Sequence, residues 1–176
     1  MPTQQDLRNE VLKPELPAYI ELFEFDFSTA GISGLSGIFR CSPMKSSTVS
    51  VLFGGETFIC NFPVQINDIE DTGEAPARPQ ITVSNVNKYF GGLAFLYQDI
   101  AKTQVTYYRT FSTYLNQTTK FSLQPRKFEI AKKLFHDKVT MVFELRDPTD
   151  KELSFMPGRQ MLRADFPGLG VNKRVR

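Results

Sequence analysis

One feature constrains this chain more than any other: two alternating apolar runs joined by a short polar link. From Lys127 the sequence reads Lys-Phe-Glu-Ile-Ala-Lys-Lys-Leu-Phe, then His136-Asp-Lys, then Val-Thr-Met-Val-Phe-Glu-Leu-Arg. Phe128, Ile130 and Leu134 fall on one face of the first run, with Glu129 and Lys133 on the other. Val139, Met141, Phe143 and Leu145 do the same in the second, against Thr140, Glu144 and Arg146. Successive side chains of a strand point to opposite faces, so alternation over this length marks half-buried strands. The polar link between them predicts a hairpin whose apolar face must lie on a second layer.

The rest of the chain supplies that layer. Tyr19 to Phe27 predicts a strand with Phe23, Phe25 and Phe27 on one face. Its other face also begins apolar, at Ile20 and Leu22, so the strand is expected to be covered on both sides for part of its length. Gly54-Gly55 separates two strand-like runs, and the tight turn of a hairpin needs positive φ there. Val64 to Ile69, Ile81 to Ser84 and Gln104 to Phe111 read as further strands. Gly91 to Lys102 predicts the one interior helix, from Leu93, Leu96, Tyr97 and Ile100 at helical spacing. Asp68 to Pro79 is acidic and proline-bearing, hence a loop.

Turn signals at this spacing imply about nine or ten short strands. The expected fold is mostly β, an antiparallel barrel or sandwich with one interior helix and a short N-terminal helical arm. The expected divisions are an arm at 1–17, a β-rich domain at 18–165 and a basic tail at 166–176.

Composition excludes several functions. Phe supplies 16 residues and Trp none, which suits sheet cores. A net charge of +2 does not predict nucleic-acid binding. No apolar run approaches the ~20 residues that span a bilayer. The opening Gln, Asp, Arg and Glu residues are no signal peptide, so synthesis and folding in a cytoplasm are expected. Cys41, Cys60 and His136 are too few and too dispersed for a zinc site, so no metal or other cofactor is expected, and both thiols should be free.

Enzyme constellations are also lacking. Gly31, Gly34 and Gly37 have no Lys-Ser/Thr after them and make no phosphate loop. His136 falls in the hairpin turn, where a solvated residue is expected rather than a catalytic one. Glu24 and Asp26 share a strand face as solvated carboxylates, not as a catalytic pair. Tyr107 and Tyr108 could stack on bases or sugars in an exposed groove, which keeps a β-barrel module for nucleic acid or carbohydrate as the alternative function.

The expected working surfaces are therefore interfaces. Leu7 and Val11 form the narrow stripe of the arm, too small to hold a helix alone. Arg109 shares a strand face with Val105, Tyr107 and Phe111, and a guanidinium on an apolar face must be paired. Arg159 follows the Pro157-Gly158 turn, and Lys173, Arg174 and Arg176 make a basic tail.

Several stretches, in order, resemble the phage minor tail protein L family of lambda-like siphophages. They include Gln5-Asp-Leu-Arg-Asn-Glu, Ile20-Glu-Leu-Phe-Glu-Phe-Asp, and Phe62-Pro-Val-Gln after Gly54-Gly55. Arg78-Pro-Gln-Ile-Thr-Val-Ser-Asn and Val105-Thr-Tyr-Tyr-Arg-Thr-Phe, running into Tyr114-Leu-Asn, come next. Phe143-Glu-Leu, Pro148 and Pro157-Gly-Arg complete the set. The resemblance implies a non-enzymatic virion protein of the tail tip, between the distal tail ring and the central hub, in three copies. The family commonly continues into a cysteine-rich region holding an iron–sulfur cluster, whose first cysteine would fall near Phe166. No cysteine comes after Cys60, so the cluster is not carried over, and the chain is expected to be the cluster-free N-terminal part.

Overall fold

The computed structural model describes residues 18–67 and 78–150, together with 9, 11 and 12. Among the described residues nine strands run in chain order: β1 (Tyr19–Asp26), β2 (Ile38–Cys41), β3 (Ser50–Phe53), β4 (Glu56–Ile59), β5 (Val64–Ile66), β6 (Gln80–Ser84), β7 (Gln104–Phe111), β8 (Leu123–His136) and β9 (Thr140–Arg146). One helix, α1 (Tyr89–Leu96), lies between β6 and β7. The strands form one sheet in the order β3-β4-β2-β1-β7-β8-β9-β6-β5. The mostly β expectation holds. Every pair is antiparallel except β2 with β4, which meet in parallel at Cys41 and Ile59.

The sheet does not close into a barrel, because its two ends pack on opposite faces of β1. Phe23 and Phe25 point into the main core with Val64, Ile81, Val83, Met141 and Phe143. Ile20 and Leu22 point the other way, into a second core with Phe53 and Phe58. The β5–β6–β9 end thus covers one side of β1 and the β3–β4 end the other, so their edges cannot meet. The result is sandwich-like layering, and β1 is covered on both faces as its alternation predicts. Gly54 and Gly55, at φ 62° and 77°, make the turn between β3 and β4.

Ion pairs pin the layer around β1. Arg40 Nε and a terminal guanidinium nitrogen lie 2.7 Å from Glu24 Oε2 and Glu56 Oε1. Lys120 Nζ reaches Glu56 Oε2 at 2.5 Å and sits 5.4 Å from the Tyr108 ring centre. Burial alone would raise the Glu56 carboxyl, but Lys120 and Arg40 hold it below its ordinary range. Glu24 is therefore a part-buried member of an ion network, not the solvated carboxylate expected from its strand face.

Two expectations fail for local reasons. The helix ends at Leu96, not Lys102, because Gln98, Asp99 and Ile100 all turn into the left-handed region at φ 49°, 58° and 51°. A β-branched residue there is strained. Ile100 is fully buried, and Asp99 pairs with Lys133, which holds the turn. Leu134 is exposed although its parity matches Ile130. Register shifts between Ile130 and Lys132, and again between Lys133 and Phe135, break the alternation of β8. A bulge inserts an extra residue and re-aims the side chains beyond it.

Most of the arm, the acidic stretch 68–77 and the tail lie outside the described residues, as do Leu7, Arg159, Lys173, Arg174 and Arg176. Val11 is among the described residues and is 46% exposed.

Candidate functional site

The β8–β9 hairpin ends beside α1, and Asn85 fastens the two together. Its backbone N–H donates to the Val139 carbonyl at 2.8 Å, directly after β6 pairs with β9 at Ser84 and Thr140. Its side-chain oxygen accepts from the Gly91 N–H at 2.9 Å, in the first turn of α1. Its amide nitrogen donates to the Asp137 carbonyl at 3.0 Å and lies 3.3 Å from His136 Nε2. A Cβ at 91 would stand 2.7 Å from the Asn85 side-chain oxygen, so any larger residue there would have to push the Asn85 amide out of this hydrogen bond. His136 is a solvated, hydrogen-bonded hairpin residue with no catalytic partner among the described residues.

Asn85→Ala leaves the Gly91 N–H without this acceptor in a buried place. The expected loss of stability is ~1–3 kcal/mol, read as a lower urea midpoint with an unchanged slope.

The surface this junction presents to solvent is apolar. Phe95 is 88% exposed on the outer side of α1, while Phe90 and Ala94 on its inner side are buried. Phe95 lines a hollow of about 530 Å³ with Asn85, Gly91 and the tip residues His136, Asp137 and Lys138. A second hollow of about 610 Å³ is lined by Val86 and Val139 together with Pro63 and Val64. Val86 and Val139 are themselves exposed, and Lys88, Asp137 and Lys138 border the face. An apolar centre with a mixed-charge border is the make-up of a protein–protein contact. The sequence carried one unread signal for it. Tyr89-Phe-Gly-Gly-Leu-Ala-Phe-Leu is apolar all the way round, so a helix lying on a core with one side must expose the rest.

The residues expected to be functional from sequence lie elsewhere. Arg109, on β7, is half-buried, with its guanidinium carbon 5.9 Å from the Tyr107 ring centre. Tyr107 is buried, stacked on Phe23 at 5.1 Å, and its hydroxyl donates to Glu21 Oε1 at 2.6 Å. Burial, with the adjacent Glu21 carboxylate, pushes the Tyr107 phenol well above its ordinary value. Tyr108 lies against Phe53 and under Lys120. Neither ring is offered for stacking on a base or sugar. Cys41 and Cys60 are buried free thiols, and burial pushes both upward, so neither is an accessible nucleophile. Among the described residues no group of His, Cys, Asp or Glu is placed to hold a metal ion, and no described helix is long and apolar enough to cross a membrane.

A model of the phage minor tail protein L family matches residues 30–167, well over half of the chain. The chain belongs to that family. The match contains β2 to β9 and α1, so it takes in most of the main core and the whole Asn85 junction. No curated protein matches the chain significantly. As a minor tail protein it is a structural component of a phage virion. A phage tail protein interacts with other tail proteins, so surfaces that meet them are what the fold has to present.

Proposed function

We propose that this minor tail protein sits at the tail tip, linking the distal tail ring to the central hub as one of three copies around the tail axis, and that the Phe95 face is one of its contacts. The observation that carries the reading is Phe95 itself. It contributes nothing to either core, and leaving a large aromatic in water forgoes ~1.5–3 kcal/mol of burial, which a neighbouring subunit would recover. The motif resemblance to lambda-like tail proteins supports the tail-tip position and the copy number. The division into arm, domain and basic tail belongs to the same proposal. In it Leu7, Val11, Arg159, Lys173, Arg174 and Arg176 supply further contacts, and no catalysis is involved.

Electron cryomicroscopy of the intact particle tests the position. A ring of three copies between the distal tail ring and the hub is the expected result. Density for this chain elsewhere on the tail, or in another copy number, would overturn it.

A further inference from the structure

A polar cleft of about 420 Å³ lies away from the hairpin tip, between the start of β1, the end of β5, the middle of β7 and the start of β8. Its charged walls are Glu21, Arg109 and Arg126, with Tyr107 between them and Asn67 at one side. We propose that this cleft is a carboxylate-binding site, in which Arg109 and Arg126 together take an acidic side chain or a chain-terminal carboxylate of a neighbouring tail protein.

The strand register builds the pair. Arg109 stands opposite Glu21 on β1, and Tyr107 stands opposite Arg126 on β8. The β7–β8 register shifts between Tyr107 and Arg109, next to Pro125, which has no N–H to give to the ladder. Tyr107 and Arg109 are two apart on β7 and share a face, so Arg126, opposite Tyr107, borders the same cleft as Arg109.

The charges are unbalanced in a way that asks for one more carboxylate. Arg109 and Glu21 are cross-strand partners, yet they form no ion pair, and Glu21 Oε1 accepts from the Tyr107 hydroxyl. The raised phenol keeps that proton at any physiological pH, so the hydroxyl goes on donating. Arg109 Nε is buried with no acceptor, an arrangement that folded proteins seldom leave unfilled. Arg126 makes no ion pair among the described residues. Among the described residues, two guanidiniums thus line the cleft with a single carboxylate. A guanidinium presents its N–H groups as a planar fork that matches a carboxylate's two oxygens. Glu21, on the same wall, disfavours a dianionic phosphate or a nucleic-acid strand by like-charge repulsion. The source of the carboxylate in a neighbouring tail protein rests on the proposed function; the site itself does not.

The test tracks the arginine Nε–Hε signals of the full chain by NMR while sodium acetate is added. A saturable shift of the Arg109 signal is expected, absent with sodium chloride at matched ionic strength. In Arg126→Gln, with unchanged melting, apparent affinity for acetate should fall roughly tenfold (~1.4 kcal/mol). No saturable shift, or the same shift with chloride, would overturn the site. Tighter binding of inorganic phosphate than of acetate would overturn its assignment to carboxylates. Arg126→Gln tails that assemble at the wild-type level would overturn the neighbouring subunit as the source, while leaving the tail reading intact.

Discussion

Replacing Phe90 by alanine is expected to cost ~3–5 kcal/mol, the largest stability loss of any single truncation proposed for this chain. Phe90 is fully buried and joins α1 to three other parts of the core. Its ring lies 5.1 Å from Phe25 on β1, 5.5 Å from Phe39 on β2 and 6.0 Å from Phe62, with Tyr89 at 5.5 Å. These are edge-on and tilted contacts, which add to the value of area burial. The cavity left behind is walled by other rigid rings and cannot collapse fully. A domain of ordinary stability holds ~5–15 kcal/mol, so the variant should fold with little margin. Equilibrium urea unfolding checks this. A loss below ~1 kcal/mol, smaller than any ordinary Phe→Ala core truncation, would mean that the aromatic cluster is not the packing centre of the domain.

Phe95→Glu is expected to do the opposite: little to the free chain and much to the tail. Phe95 lies in the same helix as Phe90, yet it points into solvent. An exposed substitution of this kind changes stability by no more than ~0.5 kcal/mol. If Phe95 anchors a subunit contact, a carboxylate there is desolvated without a partner. A central anchor is worth ~2 kcal/mol or more, so incorporation into tails should weaken roughly 30-fold at equal protein concentration. Paired melting curves and tail-assembly titrations of the wild type and Phe95→Glu separate the two effects. Normal assembly would remove Phe95 from the interface.

The contrast between these two phenylalanines marks where sequence reasoning stops. Both sit in one apolar octapeptide, and nothing in the order of residues says which side of it meets the core. The β1 strand was legible because its two apolar faces have different partners, Phe23 and Phe25 on one side and Ile20 and Leu22 on the other. The Gly54-Gly55 hairpin was legible because its chemistry is local. The parallel meeting of β2 and β4, and the failure to close into a barrel, depend on pairings between distant segments that no local pattern records. Leu134 was misplaced because parity survives only until the first bulge, and a bulge leaves no mark in the alternation.

The interface candidates divide in the same way. Arg109 stood out because a charge interrupts an apolar face, and it is half-buried without an ion-pair partner among the described residues. Arg126 was not distinguishable from other basic residues of β8 until the register placed it opposite Tyr107. Asn85 was visible only as one member of a motif; its hold on Gly91 and Asp137 is tertiary.

In the assembled tail the Phe95 face is expected to be covered by another subunit. A cysteine introduced as Phe95→Cys measures this directly, because the native Cys41 and Cys60 thiols are buried and held protonated. Maleimide labelling of that position should be fast in the free chain and strongly slowed in intact tails. Equal labelling rates in the two states would contradict the account.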